Sequence, residues 1–339
     1  MTPAELSWTV LSTVRRAVAA EELQVAVPEK VVVQRPPRPG CGDYATNVAL
    51  QLAGQAGRSA YEVAEILAVR LAKEPGIAQV EIAGAGFLNI TLSARAYADV
   101  VRQVREQGAG YGRGDALAGD AVTVVAEPPG AVRATLVAEA VNALLRAAGA
   151  PPGGRRESLS VAEPEPEPEP ARQEQPHDPH RLGPDAARWA LLRPPAEDAP
   201  RPTSALLDQR EANPLFRVRY AHSRTRAVLR NAHDLGVRVE AAARDPYRHP
   251  AETELLGLIA DFPRVVETAA RRRAPDRLAR HLERLADAYL RFQDECPALP
   301  KGDEKPSAVH AARVRLADAT GIVLAGGLHL LGISAPDHL

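Results

Sequence analysis

The sequence predicts an α+β N-terminal domain joined by a disordered linker, rich in proline and glutamate, to an all-α helical bundle. Two strand patterns, Ile77–Ile82 and Phe87–Leu92, flank a Gly84-Ala85-Gly86 turn and are surrounded by helical patterns. Glutamate and proline then alternate from Glu163 to Pro170, a composition that favours an extended, solvated spacer. From Ala205 onward every periodic segment has helical spacing.

The N-terminal domain is predicted to span residues 1–115. Its first helix, 4–20, follows a Thr2-Pro3 cap and repeats apolar residues at helical spacing. The other predicted elements are a short strand at Val31–Gln34 and helices at Asn47–Ala53, Tyr61–Lys73 and 95–107.

Residues 116–150 hold one strand pattern, Ala121–Ala126, and one helix pattern, Val132–Ala148. A single strand and helix cannot make a parallel sheet, which needs βαβ crossovers. Residues 151–203 are therefore predicted to be linker. The bundle occupies 204–339, where Asn213-Pro214 caps the first helix, and the predicted helices are 213–232, 251–272, 276–294 and 308–331.

Charge and composition exclude few partners. The 42 basic and 43 acidic residues nearly balance, and only four basic residues are lysine, so arginine richness alone does not indicate RNA. Cys41 and Cys296 stand apart, and no ligand spacing predicts a metal or another cofactor. Without a leader or an apolar span, we expect a cytoplasmic monomer that does not contact membrane.

Three stretches resemble the arginyl-tRNA synthetase family. Gly42-Asp43-Tyr44-Ala45-Thr46-Asn47, continuing to Gly86-Phe87-Leu88-Asn89, is similar to the family's additional N-terminal domain, which contacts the tRNA elbow. Asn213 to Arg224 is similar to the first helix of its DALR anticodon-binding domain, and Leu328 to Pro336 to its C-terminal end. The resemblance covers roughly residues 1–150 and 180–339.

The middle of the chain departs from the family. Aligned on the helix Gly130–Gly149, the two histidines of the His-Ile-Gly-His signature fall at Pro128 and Ala131, which cannot donate a hydrogen bond to ATP. No Lys-Met-Ser-Lys-like loop follows. The resemblance therefore implies that 116–150 is a remnant of the catalytic fold, and that the chain is a pseudoenzyme, a degenerate relative of arginine-tRNA ligase.

Phe87 and Asn89 are the RNA candidates of the N-terminal domain. Because side chains alternate along a strand, both should lie on the face opposite Leu88 and Ile90. Phenylalanine can stack on an unpaired base, and the amide can bind the base edge. The resemblance places this strand against the tRNA D-loop. The alternative is that Phe87 packs under a neighbouring helix.

Two helices of the bundle supply the other RNA candidates. Along 276–294, one arc beside the apolar face carries four arginines, Arg277, Arg280, Arg284 and Arg291. They could neutralise phosphates, and the first three are the candidate contacts. The alternative is a solvated face paired with the acids of the same helix, Glu283, Asp287 and Asp294. On 213–232 the candidates for the anticodon are Tyr220, His222 and Arg224, although Tyr220 could instead close the core.

The glycine-rich segment 108–114 neither follows a strand nor precedes a helix, so we interpret it as a flexible connection. Three functions remain open. The first is a non-catalytic protein that binds arginine tRNA and sequesters it, presents it or regulates its charging. The others are a protein-interaction module built on the bundle, and a residual ligase whose protein partner supplies the active site.

Overall fold

The structure, a computed structural model, describes residues 1–36, 40–163, 182–200, 203–239 and 247–339. It divides into two compact units, unit 1 with Met1–Arg102 and Arg244–Arg248, and unit 2 with Gln103–Ala243 and His249–Leu339. The domain boundary predicted at residue 115 therefore lies inside unit 2. The predicted fold class is confirmed, since unit 1 is α+β and the C-terminal part of unit 2 is helical.

Unit 1 is a three-stranded antiparallel sheet with helices on one face. The strands β1 (Tyr44–Thr46), β2 (Ile77–Ala83) and β3 (Phe87–Leu92) have the order β1-β3-β2. The helices are α1 (Pro3–Ala19), α2 (Val48–Ala56), α3 (Ala60–Leu71) and the start of α4 (Ala94–Gln107). A capping box of Thr2 and Glu5 opens α1. The strand predicted at Val31–Gln34 is reduced to a single bridge between Gln34 and Ala45.

Asp43 holds β1 against β3. Its carboxylate accepts a hydrogen bond from the Leu92 amide at 2.7 Å, and its own amide donates to the Ile90 carbonyl at 2.9 Å. Gly42 before it has φ +80°, and a Cβ there would lie 3.0 Å from the Ile90 oxygen. The Gly42-Asp43 pair quoted from the motif is thus part of the fold rather than an exposed contact.

Unit 2 begins with a βαβ unit that the sequence patterns do not predict. Strand β4 (Val122–Ala126), helix α5 (Val132–Ala147) and strand β5 (Arg155–Leu159) form a two-stranded parallel sheet. The expectation that no sheet forms here is wrong, because β5 is polar and lacks the alternation that marks a strand. Helix α6 (Gly183–Leu192) also lies inside the predicted linker. Residues 164–181 of that linker, with most of the Glu-Pro repeat, lie outside the described residues.

The remaining helices of unit 2 form the bundle. They are α7 (Pro214–Asp234), α8 (Pro250–Arg272), α9 (Asp276–Glu295) and α10 (Ala308–Leu330). The apolar arc predicted on α9 is confirmed, since Leu278, Leu282, Leu285, Tyr289 and Phe292 are all buried. The glycine-rich segment is packed rather than flexible, because Tyr111 stacks on Phe262 of α8 and donates its hydroxyl to the Ile259 carbonyl.

A buried arginine joins α5 to the chain before and after α6. Arg133 is fully buried, and its guanidinium donates to carbonyls at both ends of this region. The acceptors are the carbonyl oxygens of Ala162, Leu191, Pro194, Pro195 and Asp198. Burial lowers the pKa of Arg133, and Glu163 opposes that shift. The carboxylate of Glu163 also caps α5 by accepting from the amides of Arg133 and Ala134 at 3.3 and 3.1 Å.

The free edge of β4 is closed by one side chain. Asn142 on α5 accepts from the Val124 amide at 2.9 Å and donates to the Val124 carbonyl at 2.8 Å. The amide group therefore occupies the place of a neighbouring strand. This contact protects an edge that would otherwise be open to pairing with another chain.

We expect Arg133→Met to destabilise unit 2 by at least about 3 kcal/mol, because several buried carbonyls lose their donor together. Trp189 on α6 is buried, whereas the other tryptophan, Trp8, is exposed. Urea unfolding followed by tryptophan emission should show the red shift at lower denaturant. Arg156→Met, at an exposed arginine of β5, is the control. Equal midpoints for both variants would contradict a structural role for Arg133.

Candidate nucleic-acid interface

The open face of the unit 1 sheet carries Phe87 and a row of polar residues. Phe87 is 44% exposed at the end of the β2–β3 hairpin, so it does not pack under a helix. Asn89 lies on the same face but is only 9% exposed, because Ala45 and Glu81 flank it on the two neighbouring strands. The ring of Phe87 is thus available for stacking, whereas only a small part of the Asn89 side chain is accessible to a ligand.

In unit 2, Asn213 sets the start of α7. Its side-chain oxygen accepts from the amides of Leu215 and Phe216, and its NH₂ group donates to two carbonyls upstream. One turn later the rings of Phe216 and Tyr220 stack with centroids 5.5 Å apart. Tyr220 is 36% exposed, so it does not close the core, where Tyr289 is buried instead.

Tyr220 lies on a seam between α7 and α9. Arg217 pairs with Asp287 of α9 at 3.2 Å, and Arg224 reaches the Gln293 side chain at 3.4 Å. At about 100° per residue, Tyr220 lies within about 60° of both arginines on α7. We give the name α7–α9 seam to a set of side chains from both helices: Phe216, Tyr220 and Arg224 of α7 with Arg277 and Arg284 of α9. Phe216 is half-buried, and the other four are exposed.

The alternative for α9 was a solvated face on which its arginines pair with acids of the same helix. Two of those acids, Glu283 and Asp287, pair instead with arginines outside α9. Glu283 binds Arg193 through two hydrogen bonds of 2.9 and 3.1 Å, and Asp287 is engaged by α7. Arg280 does pair with an acid of its own helix, Asp276, at 2.9 Å. Arg277 and Arg284 are exposed, and no side-chain partner is found for them in the described part of the chain.

The prediction of His222 as an RNA contact conflicts with its position. Its ring is buried, and Nδ1 donates to the Pro336 carbonyl at 3.0 Å. The chain after α10 covers this side of α7, where Arg226 also pairs with Asp337 at 3.1 Å. His222 therefore anchors the C-terminal segment. Sequence spacing could not reveal this, because the partner lies more than 100 residues away.

Phe216 was not among the candidate contacts, although its spacing of four residues from Tyr220 indicates a pair of rings on one helical face. The described residues contain no cluster of three or more histidine, cysteine or acidic side chains that could hold a metal ion. None of their helices is both long and apolar enough to cross a bilayer.

Comparison with known proteins matches both units. The family model "Arginyl tRNA synthetase N terminal domain" matches residues 9–92, and "DALR anticodon binding domain" matches 218–339. The arginine–tRNA ligase of Frankia alni is 28% identical over an alignment 552 positions long, which covers the whole of both chains. The arginine–tRNA ligase of Clavibacter sepedonicus is 45% identical over 159 residues, 47% of this chain and 29% of the relative.

Solved structures show the same fold. Thermus thermophilus arginyl-tRNA synthetase superposes with a TM-score of 0.68 at 13% identity, covering 100% of both chains. The Plasmodium falciparum enzyme superposes with a TM-score of 0.69 at 9% identity, covering 99% of both. At these identities the likeness concerns the fold alone.

An anticodon-binding bundle together with this N-terminal domain defines a protein of the aminoacyl-tRNA synthetase type. The chain belongs to the arginyl-tRNA synthetase family, in a shortened form that lacks the central catalytic region. The prediction that it is not an enzyme is contradicted, because the relatives that align over the whole chain are named for an enzyme, arginine–tRNA ligase. A shorter central region does not by itself show that activity is lost.

We expect acid to weaken unit 2 through His222. Burial lowers the pKa of this ring, and the nearby positive charges of Arg226 and His329 lower it further. The hydrogen bond to Pro336 and the charge of Asp337 raise the pKa but only partly offset that shift. The unfolded chain therefore binds the proton first, and the free energy of unfolding should fall as pH drops through about 6.5. His222→Gln keeps a neutral donor. Urea midpoints at about pH 7.5 and 5.5 should differ less in the variant than in the wild type. Identical pH dependence would assign the acid sensitivity to other groups.

Proposed function

We propose that this protein binds arginine tRNA at two places, the D-loop on the open sheet face of unit 1 and the anticodon arm on the α7–α9 seam. Such binding would sequester the tRNA, present it to another protein or regulate its charging, in the cytoplasm. The seam is the observation that carries the proposal. It combines two stacked rings, of which Tyr220 is exposed and Phe216 half-buried, with arginines that have no acid partner among the described residues. These side chains lie within or beside the region matched by the DALR anticodon-binding domain.

The chemistry of the seam suits an unpaired loop. Aromatic rings stack on bases of any sequence, and each exposed guanidinium can neutralise a phosphate. The two features contribute differently, since stacking depends little on salt and phosphate contacts depend on it strongly. The sheet face of unit 1 offers stacking through Phe87 alone, beside the polar side chains of Gln79 and Glu81, which bond to each other at 2.8 Å.

A second candidate is ligation of arginine to tRNA, which the names of the relatives favour. The β4-α5-β5 unit would then contribute to a site completed by a partner protein, because the central region is missing from this chain. Aminoacylation of arginine tRNA, measured with the protein alone and with a full-length arginyl-tRNA synthetase added, tests this candidate. Charging by the protein alone, or charging by the mixture above the sum of the separate reactions, would support it. No charging by the protein alone, together with a simple sum in the mixture, would exclude it.

We expect Arg277→Ala with Arg284→Ala to reduce the salt dependence of tRNA binding by about one to two phosphate contacts, because both guanidinium groups are exposed and unpaired in the described structure. Filter binding or fluorescence anisotropy over a salt series gives the slope. Arg280→Ala is the matched control on the same arc, and it should change the slope less because Arg280 is already paired with Asp276. Equal slopes for all three proteins would contradict the phosphate contacts.

Loss of an aromatic contact should change tRNA binding differently from loss of an arginine. Phe87→Ala and Tyr220→Ala should each weaken tRNA binding by about 1–3 kcal/mol while leaving the salt slope nearly unchanged, because stacking is lost and no charge is removed. Tyr61→Ala serves as the control, since Tyr61 is an exposed tyrosine on α3. If wild type and variants bound tRNA and an unrelated RNA equally weakly, the RNA proposal would fail and a protein-interaction role would lead.

A further inference from the structure

Unit 2 contains a cleft of about 550 Å³ that the RNA proposal does not use. Its walls come from the glycine-rich segment, the end of α5, one side of α7, the C-terminal half of α10 and the C-terminal segment. The volume lies within the range of small-molecule sites and would hold one nucleotide. The cleft is far along α5 from Ala131, where the resemblance places the family's signature histidines.

The charges in the cleft are predominantly positive. Three arginines line it, Arg113, Arg146 and Arg226, against a single carboxylate, Asp337. Asp337 is paired with Arg226 at 3.1 Å. Arg113 and Arg146 are exposed, and the described residues supply no acceptor for either guanidinium. The cleft therefore has two cations available for an anionic group, and phosphate is the anion that forked guanidinium groups bind well.

The rest of the wall is small and mostly apolar. Ala143, Ala147, Ile322 and Ala325 lie beside the arginines and offer a surface for a flat, uncharged body. A ligand with one charged end and one planar end matches this division.

The glycines of α10 fall into two kinds, those that allow close packing against another helix and one that only lines the cleft. A Cβ on Gly321 would come within 2.4 Å of Thr225, and one on Gly327 within 2.5 Å of Leu282, so both glycines permit close helix contacts. A Cβ on Gly326 would meet nothing within 4 Å, although glycine inside a helix is less stable than alanine. Gly326 lines the cleft, so its missing side chain leaves the cleft open rather than serving the fold.

The cleft is separate from the α7–α9 seam. His222 and Arg226 lie about 140–180° around α7 from Arg217, on the side covered by the C-terminal segment. A ligand here would not occupy the proposed anticodon surface. Loss of binding at one place can thus be measured without loss at the other.

We propose that this cleft binds a nucleotide-sized phosphate ester, with Arg113 and Arg146 holding the phosphate and the small apolar wall of α5 and α10 contacting the base. Such a group can be a free nucleotide or one nucleotide of an RNA strand. Both sources present the same phosphate and ring.

Isothermal titration with AMP, adenosine and a short single-stranded oligoribonucleotide tests the proposal on the full chain. Arg113→Ala with Arg146→Ala should weaken the binding of AMP or the oligoribonucleotide about tenfold or more. Gly326→Leu should do the same by filling the cleft without changing charge. Gly54→Leu is the matched control, because Gly54 lies in α2 and a Cβ there also meets nothing within 4 Å. Arg272→Ala, at an exposed arginine outside the cleft, controls for charge.

The two sources give different patterns. Binding of AMP that is lost in the cleft variants assigns a free nucleotide, and binding of the oligoribonucleotide alone, lost in the same variants, assigns an RNA nucleotide. Binding of adenosine as tight as that of AMP would overturn phosphate recognition. Failure of both phosphate probes to bind, or binding unaffected by Gly326→Leu and by the arginine pair, would overturn the site. Far-ultraviolet circular dichroism of each variant confirms that the helices remain folded.

Discussion

The buried guanidinium of Arg133 is the interaction on which the architecture of unit 2 depends. It satisfies carbonyl oxygens from two separate stretches, one before residue 164 and one after α6, and so fixes both against the start of α5. Glu163 completes this junction by capping the same helix. A cation buried with neutral acceptors is stable only when nearly every donor is used, which explains why so many carbonyls converge on one side chain.

This junction explains how the small βαβ unit at the start of unit 2 is stabilised. A βαβ unit alone leaves strand edges and a helix terminus exposed to water or to other chains. Asn142 occupies the free edge of β4, Glu163 occupies the N-terminus of α5, and Arg273 binds Glu157 of β5 through two hydrogen bonds of 3.1 and 3.0 Å. Local side chains thus take the place of neighbouring strands and helices, and the βαβ unit becomes an integral part of unit 2.

Sequence patterns predicted the long helices and the β2–β3 hairpin well, but they missed the short strand β5 and helix α6. The hairpin of β2 and β3 and the four bundle helices follow from periodicity, since one face of each is buried. Strand β5 and helix α6 lie in a segment whose composition indicates a linker, and each depends on partners distant in sequence. Phe87 was correctly predicted to be the outward residue of its strand. The burial of Asn89 and His222 was not predicted, because the flanking strands and the C-terminal segment that cover them are tertiary features.

The arginines show why composition alone could not identify the functional surfaces. Arg193, at the end of α6, and Arg217, on α7, are both paired with acids of α9 and so serve the fold. These pairs in turn remove Glu283 and Asp287 as partners for Arg284, which leaves its charge available for a ligand. An exposed guanidinium that has no hydrogen-bond partner in the protein can release its counterions on meeting phosphate. Exposed arginines without an acid partner are therefore the candidates for ligand contacts, and the described residues include two such pairs: Arg277 and Arg284 on α9, and Arg113 and Arg146 in the cleft.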